Sequence, residues 1–578
     1  MHRRSFLRAL AVAAAGGVIP RVGVAADDDI YDIGRFGNVR VLHITDTHGQ
    51  LAPVHYREPS VNIGVGTMRG RPPHLVGRAF LEYFRIAPGS RFAYAFTFLD
   101  YQEAAARYGR MGGFAHLKTL VDRLRAQTGP GNSLLLDGGD TWQGSGLAQT
   151  LAGADMVDAA NLLGVEAMTG HWEFTYGEKI FRRNIEQFKG EFLAQNVFLT
   201  QDAAFNDAPA FDPASGRVFK PATIKEVGGR RIGIIGQVFP YVPVAHPKRF
   251  VPDWTFGLRE AELQKVVTRL RESDGVDAVL LLSHNGMDAD LKLASRMSGI
   301  DVILGGHTHD AVPYPTIVTN PGGKTLVTNA GSSGKFLAVL DLDIGSKHVN
   351  DLRYTLLPVF AGLVPPDGGM QALIDRLRAP HAPTLDEPLA VAGELLYRRG
   401  NFGGPLDQII CDALRRELNA QIALSPGFRF GGTVLAGQPI KMADVLSATA
   451  ISYPEVYVTE MTGAQLKAVL EDVADNLFNS DPYYQQGGDM VRVGGMDYAC
   501  APEAAAGSRI SDMTLDGGTP IGAGKHYRVA GWASLEPQSA RPVSEVVASY
   551  LRAEKTVRIT RRNRVALKGV AGNPGIGE

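Results

Sequence analysis

Cysteine is almost missing from this chain: only Cys411 and Cys500 occur among 578 residues. That excludes a disulfide framework and any cysteine-rich zinc site, and leaves room for one bridge at most. An excess of charge is missing as well. With 59 lysine and arginine residues against 60 aspartate and glutamate residues, the formal net charge is -1. There is no overall basic field of the kind nucleic-acid binders carry, and no acidic tail. A membrane span is also lacking at the amino terminus. The modest apolar run there is broken by Gly16, Gly17 and Pro20 and falls short of the roughly 20 apolar residues a spanning helix needs. Finally, the chain is too long for one core, since single cores stop growing at about 250–300 residues. Two large units are expected.

The first residues, MHRRSFLRALAVAAAGGVIPRVGVAADDD, have a different character. Adjacent Arg3 and Arg4, then Phe6 and Leu7, a short apolar run and small residues ending at Ala25 and Ala26 resemble a twin-arginine export signal. Residues 1–26 are read as that signal peptide and the mature protein as periplasmic. Twin-arginine export generally follows folding and cofactor insertion, which suits a metalloprotein.

Several β-branched or leucine-rich runs end in polar residues: VRVLHIT before Asp46, SLLLDGG before Asp140, RIGIIGQ, AVLLLSH at His284 and DVILGGH at His307. Runs of this length read as strands buried on both faces. Helical patterns such as HLKTLVDRLRAQ and LREAELQKVVTRLRES lie between some of them. This is an α/β layout with polar residues at the carboxyl ends of strands, where open α/β sheets place ligands. The apolar spacing of LDQIICDALRREL makes Cys411 a core residue of an amphipathic helix. Between Gln50 and Met111 lies an insertion-like segment with eight arginines, no lysine and many aromatics, among them Tyr56, Phe80, Phe84, Tyr94, Phe96 and Phe98. It reads either as a covering flap with a partly buried aromatic cluster or as a docking surface for an anionic partner. The glycine-rich end, GVAGNPGIGE, reads as a loose tail.

Five separated pieces offer metal donors at strand ends: ITDTHGQ (Asp46, His48), GGDTWQGSG (Asp140), GHWEF (His171), LSHNG (His284) and GGHTHD (His307, His309). Asp46 and His48, like His307 and His309, stand two residues apart, which in an extended exit loop puts both side chains on one face. Burying so many polar groups without partners would cost too much for the set to be structural filler. Imidazole and carboxylate donors without thiolate suit Mn, Zn or Fe. Two such ions about 3.5–4 Å apart would clamp a tetrahedral oxyanion for hydrolytic displacement. Hydrolysis of an anion is the chemistry that follows.

The ordered set DTHGQ, GGDTWQGS, GHWEFTYG, SHNGMD and GGHTHD resembles the dinuclear metallophosphatase domain of the 5′-nucleotidase superfamily. NFGGPLDQIICDALRREL, SPGFRFGG and QGGDMVRVGGMDY resemble that superfamily's C-terminal domain. The details look most like the SoxB-type thiosulfohydrolase branch of bacterial sulfur oxidation. The resemblance implies a four-layer αββα metallophosphatase sandwich over residues 27–363, a linker at 364–388, a smaller α+β 5′-nucleotidase C-terminal-like domain at 389–567 and a tail at 568–578. It implies two divalent ions, Mn with Zn or Fe as alternatives. Asp46, His48 and His309 would hold one ion, His284 and His307 the other, and Asp140 would bridge them. His171 occupies a position that is usually asparagine in a G-N-H-E-F-D loop, and is expected to be a ligand of the second ion.

Three departures from the phosphatase pattern bear on the substrate. Trp172 and Thr175 stand where phosphatases carry a histidine and its aspartate partner. An alkoxide needs that pair to leave, whereas a sulfur anion leaves without a proton. Gly487, Gly488 and Asp489 replace a GGF phenylalanine that stacks a nucleobase, unless Tyr483 or Tyr484 takes its place. In the branch it resembles, a metal-bound hydroxide attacks the sulfone sulfur of a cysteine-linked S-thiosulfonate on a sulfur-carrier protein and releases sulfate. Trp172 would be a wall of that site, and Arg429 is a candidate sulfonate anchor or a salt-bridge partner. The alternatives are a periplasmic 5′-nucleotidase or cyclic nucleotide phosphodiesterase, and a noncatalytic anion- or carrier-binding protein.

Overall fold

A computed structural model describes residues 29–534 and 540–577; the proposed export signal lies outside them. Among the described residues no helix is long and apolar enough to cross a membrane.

Two six-stranded sheets organise the first half. One runs Val349–Pro358, Phe336–Ile344, Val39–Ile44, Ser133–Asp137, Ala167–Met168, Glu191–Phe192. The other runs Thr316–Asn320, Gly323–Asn329, Val302–Gly305, Ala278–Ser283, Arg230–Gln237, Ala222–Val227. The period-2 alternation of their strands decides the layering. Val39, Val41, Leu134 and Leu136 of the first sheet meet Ile232, Ile234, Leu280, Leu282 and Leu304 of the second in one dry layer. The intervening residues face outwards. Leu42, Ile44 and Leu135 pack under the helices Phe114–Thr128, Ala154–Leu163 and Gly368–Arg378. Ile235, Val279, Leu281 and Ile303 pack under Glu260–Thr268 and Met287–Arg296. The result is the four-layer αββα sandwich.

The second half is smaller and mixed. A four-stranded sheet, Val456–Thr462, His526–Trp532, Ile422–Gly427, Asp489–Gly494, is joined by two three-stranded sheets and carries the helices Pro405–Glu417, Gly463–Phe478 and Val543–Glu554. Cys411 is buried in the first of these helices and Cys500 in a strand, and both are free thiols. The bridge left open by the sequence is not formed. The halves are not independent cores: Trp172 of the first packs among Leu406, Ile410, Phe430 and Val445 of the second.

The arginine-rich segment is a flap, and most of its aromatics are buried, although Tyr83 is exposed. Phe80, Phe84, Tyr94, Phe96 and Tyr101 are buried in the outer core of the second sheet, because rings of this size gain more from burial than an exposed patch returns. Arg57 is buried as well, over the rings of Phe98 and Tyr397. Arg69 and Arg71 remain exposed. The carboxyl-terminal stretch departs from its expected looseness. Val570 and Asn573 are buried, Ile576 pairs with Val61, and Asn573 donates to the Gly64 carbonyl at 3.0 Å. Backbone bonds join Asn62 to Gly575 and Val76 to Pro574. Glycine content suggested mobility, but a side chain at Gly575 or Gly577 would run into the Asn62 carbonyl or the Phe98 ring, so these glycines let the stretch lie close against the flap.

One ion pair fixes the flap to the sandwich. The Lys335 ammonium, 1 % exposed, pairs with Glu58 and donates to the carbonyls of Tyr56 at 3.1 Å and Ala95 at 3.0 Å. Replacing Lys335 by Met strands a buried carboxylate, which costs about 3–5 kcal/mol. We expect Lys335→Met to lower the denaturation midpoint strongly, and the double change with Glu58→Met to recover part of that loss. Equal midpoints for wild type and Lys335→Met would refute this assignment.

Candidate metal centre

Each donor stands where a parallel strand ends. Asp46 and His48 follow Val39–Ile44, Asp140 follows Ser133–Asp137, His171 follows Ala167–Met168, His284 follows Ala278–Ser283, and His307 and His309 follow Val302–Gly305. The structure gathers all seven predicted residues into two buried groups, Asp46, His48, Asp140, His309 and Asp140, His171, His284, His307. Within each group the donor atoms lie within 4.8 Å of one another. Asp140 belongs to both. Its Oδ2 lies 3.1 Å from His284 Nε2, 3.3 Å from His171 Nδ1 and 3.6 Å from His48 Nε2. Asp46 Oδ1 lies 3.2 Å from His309 Nε2 and 3.8 Å from His284 Nε2.

The surrounding hydrogen bonds decide which nitrogen each ring presents. His48 Nδ1 sits 3.1 Å from the Gln143 carbonyl and His284 Nδ1 sits 2.6 Å from that of Gly138. Carbonyls only accept, so these nitrogens donate and the Nε2 lone pairs face inwards. His48 Nε2 then meets His309 Nε2 at 3.0 Å, and both ring nitrogens of buried His307 have no hydrogen-bond partner. Lone pairs converging on two carboxylates call for positive charge, and this donor set fits two divalent ions.

Electrostatics agree. Burial lowers the His48 pKa to about 4 despite Asp140 nearby. Burial also lowers His171, and with other cations nearby it holds His307 and His309 well below the usual range. His284 is the exception: burial pulls it down, but Asp140 and Asp46 more than reverse that and raise it to about 10. Burial opposes ionisation of Asp140, yet His284 and His171 hold its carboxyl well below the usual carboxylate range.

The loop Gly170–Gly177 is braced by a residue whose role the sequence did not reveal. Glu173 accepts from the backbone N–H groups of Thr141 at 2.7 Å, Trp142 at 3.2 Å and His171 at 2.8 Å, tying the His171 loop to the Asp140 loop. The Trp172 amide donates to Asp140 Oδ1 at 2.6 Å. The Thr175 hydroxyl bonds Ser452 Oγ at 2.7 Å. His246, also unforeseen, is buried beside Trp172 and reaches the His171 carbonyl. It lies in PYVPVAHPKRF, which carries no motif that could have exposed it.

The centre opens into a cavity of about 350 Å³. Trp172, Phe239, Phe428 and Phe430 line it near the donors, and Tyr457, Val469 and Val473 line it further out. Arg429 lines it too. Its guanidinium lies 3.5 Å from Asp489 and donates to the Gly488 carbonyl at 2.5 Å, while Nη1 is buried without a partner. Burial opposes ionisation of Asp489, but Arg429 and Arg492 hold it down to about 2. Arg429 is therefore both salt-bridged and open to an anion. Tyr483 and Tyr484 do not line the cavity. The Tyr483 hydroxyl bonds Glu260 at 2.5 Å, and Tyr484 is 62 % exposed.

Fold and donor set define a metal-dependent hydrolase of the metallophosphatase class. The calcineurin-like phosphoesterase family model matches residues 39–311, and the 5′-nucleotidase C-terminal domain model matches residues 395–536. The solved structure of the Thermus thermophilus sulfate thiohydrolase SoxB in complex with glycerol shares 36 % identity at a TM-score of 0.87, covering 93 % of this chain and 98 % of that one. The chain therefore belongs to the 5′-nucleotidase and dinuclear metallophosphatase superfamily, in its SoxB-type branch. A 5′-nucleotidase precursor, also from Thermus thermophilus, shares the fold at a TM-score of 0.71 and 23 % identity, covering 92 % of this chain and 99 % of that one. The rat 5′-nucleotidase is 27 % identical over 329 residues, 53 % of this chain and 54 % of the relative. The trifunctional nucleotide phosphoesterase YfkN of Bacillus subtilis is 23 % identical over 436 residues, 70 % of this chain and 29 % of the relative. The chain thus spans about half, or less, of the length of these curated relatives.

Two expectations follow. Asp140→Asn removes the charge shared by both groups, and should lower bound metal and abolish turnover while the protein stays folded. Elemental analysis checks this, and full metal content with a normal rate would remove Asp140 from the bridge. Of the five imidazoles in the donor set, four have lowered pKa values in the metal-stripped protein and one has a raised value. Below pH 6.5, the ordinary histidine value, these four bind more protons in the unfolded chain than in the native one, so the stability they contribute is lost as pH falls. In chelator-treated protein the His48 ring should stay neutral down to about pH 4, followed by its imidazole NMR shifts; the contribution of His284 runs the other way, lost as pH rises towards about 10. Protonation of His48 near pH 6.5 would contradict the inward-facing neutral ring.

Proposed function

We propose that this protein hydrolyses a cysteine-linked S-thiosulfonate presented by a sulfur-carrier protein, releasing sulfate. The carrying observation is what the cavity lacks. Among the described lining residues outside the seven donors, the ionisable groups are Arg429, Asp489, Tyr241 and Tyr457. Asp489 stays ionised, and burial pushes both phenols upwards. None is poised to give a proton to a leaving group near neutral pH. Trp172 and Thr175 do not supply one either, the first being an indole and the second a hydroxyl committed to Ser452. An alkoxide would leave poorly here, whereas a persulfide sulfur leaves as the anion.

In this reading Asp46, His48 and His309 hold one ion, His171, His284 and His307 the other, and Asp140 bridges them. We take both ions to be manganese. Two such ions supply Lewis-acid polarisation of an oxyanion and activation of water. The chain's own part is to bind and orient. Arg429, steadied by Asp489, presents a guanidinium to the sulfonate oxygens. Trp172, Phe428 and Phe430 wall the cavity and exclude bulk water. The S–S bond to the sulfone sulfur breaks with its electron pair staying on the carrier sulfur, which leaves as a persulfide anion, while water supplies the oxygen that completes sulfate and its two protons pass to solvent. What counts against the nucleotidase reading is the expected base clamp: neither Tyr483 nor Tyr484 lines the cavity, and Phe428 and Phe430 stack on each other with centroids 5.0 Å apart rather than facing each other across a gap. Export by the twin-arginine route to the periplasm belongs to the same proposal.

The test is sulfate release by metal-loaded protein from a carrier-bound thiosulfonate, compared with phosphate release from a nucleoside monophosphate. Faster nucleotide cleavage would overturn the reading, and release of neither product would favour a binding protein. A second test addresses the leaving group. General-acid help is worth about 10²–10⁴-fold, so Trp172→His with Thr175→Asp should raise alkyl phosphate hydrolysis more than nitrophenyl phosphate hydrolysis. If that ratio does not change in folded, metal-replete protein, the leaving-group argument is wrong.

A further inference from the structure

Ligating histidines are usually steadied through the ring nitrogen that does not face the metal. His48 and His284 follow this rule through the carbonyls of Gln143 and Gly138. His171 does not: its Nδ1 lies 3.3 Å from Asp140 on the donor side, its Nε2 has no hydrogen-bond partner, and its backbone sits at φ -156°, ψ -75°, outside the regular strand and helix regions. Something other than its ring must set its direction.

We propose that His246 is the positioning residue that supplies this, holding the His171 ligand loop through its backbone and the Trp172 wall through its ring. His246 is 1 % exposed. Its Nε2 donates to the His171 carbonyl at 3.2 Å, since the carbonyl can only accept. Its ring meets the Trp172 indole edge to face, with centroids 4.5 Å apart and an interplanar angle of 83°, a favoured aromatic arrangement. Phe428 and Phe430 also meet the indole edge to face. The loop that carries His246 is itself anchored. The His246 amide bonds the Val242 carbonyl at 2.9 Å, and the Tyr453 hydroxyl donates to the Ala245 carbonyl at 3.0 Å. Tyr241, Val244 and Ala245 of this loop line the cavity. One side chain therefore links the His171 loop, the Trp172 wall and a further lining segment of the cavity.

The two contacts can be separated by substitution. His246→Phe keeps an aromatic edge on Trp172 and loses the donor; His246→Gln keeps a donor at nearly the same reach and loses the ring. The first readout is metal affinity, measured by competition with a chelator against Mn²⁺ and needing no substrate. His246→Phe should weaken binding of one of the two ions by about 10–100-fold, the range for lost outer partners of metal ligands, and His246→Gln should stay close to wild type. The second readout rests on the proposed thiosulfonate substrate. His246→Gln should raise KM for the carrier-bound substrate with kcat changed less, because the wall loosens while the centre does not. If His246→Phe folds poorly, His246→Asn, too short to reach the carbonyl, replaces it in the contrast with His246→Gln. Wild-type metal affinity in both donor-lacking variants, or equal losses in the donor-lacking and donor-keeping ones, overturns the positioning role. Failure of the sulfate assay alone overturns the substrate reading and leaves the metal result standing.

Discussion

The Asp140 carboxylate is the constraint on which the rest of this structure depends. It is buried, it faces three imidazoles within 3.6 Å, and it is the only donor common to both groups. A carboxylate taken out of water and surrounded by lone pairs is expensive unless cations satisfy it. The sandwich is arranged to make that possible. Strands of both sheets deliver their carboxyl ends to one point, and five of the seven donors, Asp46, His48, Asp140, His307 and His309, sit with φ between +48° and +74°. Left-handed backbone costs a non-glycine residue on the order of 1–3 kcal/mol. Such strain persists because the strands behind the loops leave the side chains no other direction, and because ion binding repays the folded state alone.

How far the sequence revealed this follows from where the information lay. Each donor ends an apolar run short enough to be a strand, and glycines flank most of them, so the strands and the donor set could be read locally. The sulfur reading also had a local origin in Trp172 and Thr175. What was not legible was packing between segments distant in the chain. Nothing in the pattern around Phe80, Phe84 and Phe96 says whether aromatics face a core or a partner, because both need the same residues. Arg429 could be an anchor or a salt bridge on composition; its contacts with Asp489 show the salt bridge, and its buried Nη1 is left without a protein partner. His246 and Glu173 act by reaching backbone groups of other loops, and a contact to a carbonyl or an amide leaves no mark on the sequence of the loop contacted.

The cavity is a joint product of the two halves. The sandwich contributes the donors and the indole, and the smaller unit contributes Arg429, Phe428, Phe430 and the outer apolar wall. Trp172 is simultaneously a lining residue and a member of the smaller unit's core. A change there acts on interdomain packing and on substrate contact together, so its kinetic and structural effects need separate measurement.

The docking of residues 570–577 onto the flap sets an order of events during synthesis. Ile576 meets Val61 across 515 positions, from the pairing Val61 with Ile576, and the neighbouring flap residues His74 and Asn62 contact Asp288 and Asp310. At the usual elongation rate of about 5–20 residues per second, the flap waits on the order of half a minute or more for its last partner to leave the ribosome. Throughout that interval Val61, Asn62 and Val76 are without the backbone partners that residues 574–576 supply, so the flap settles only after that stretch has been made.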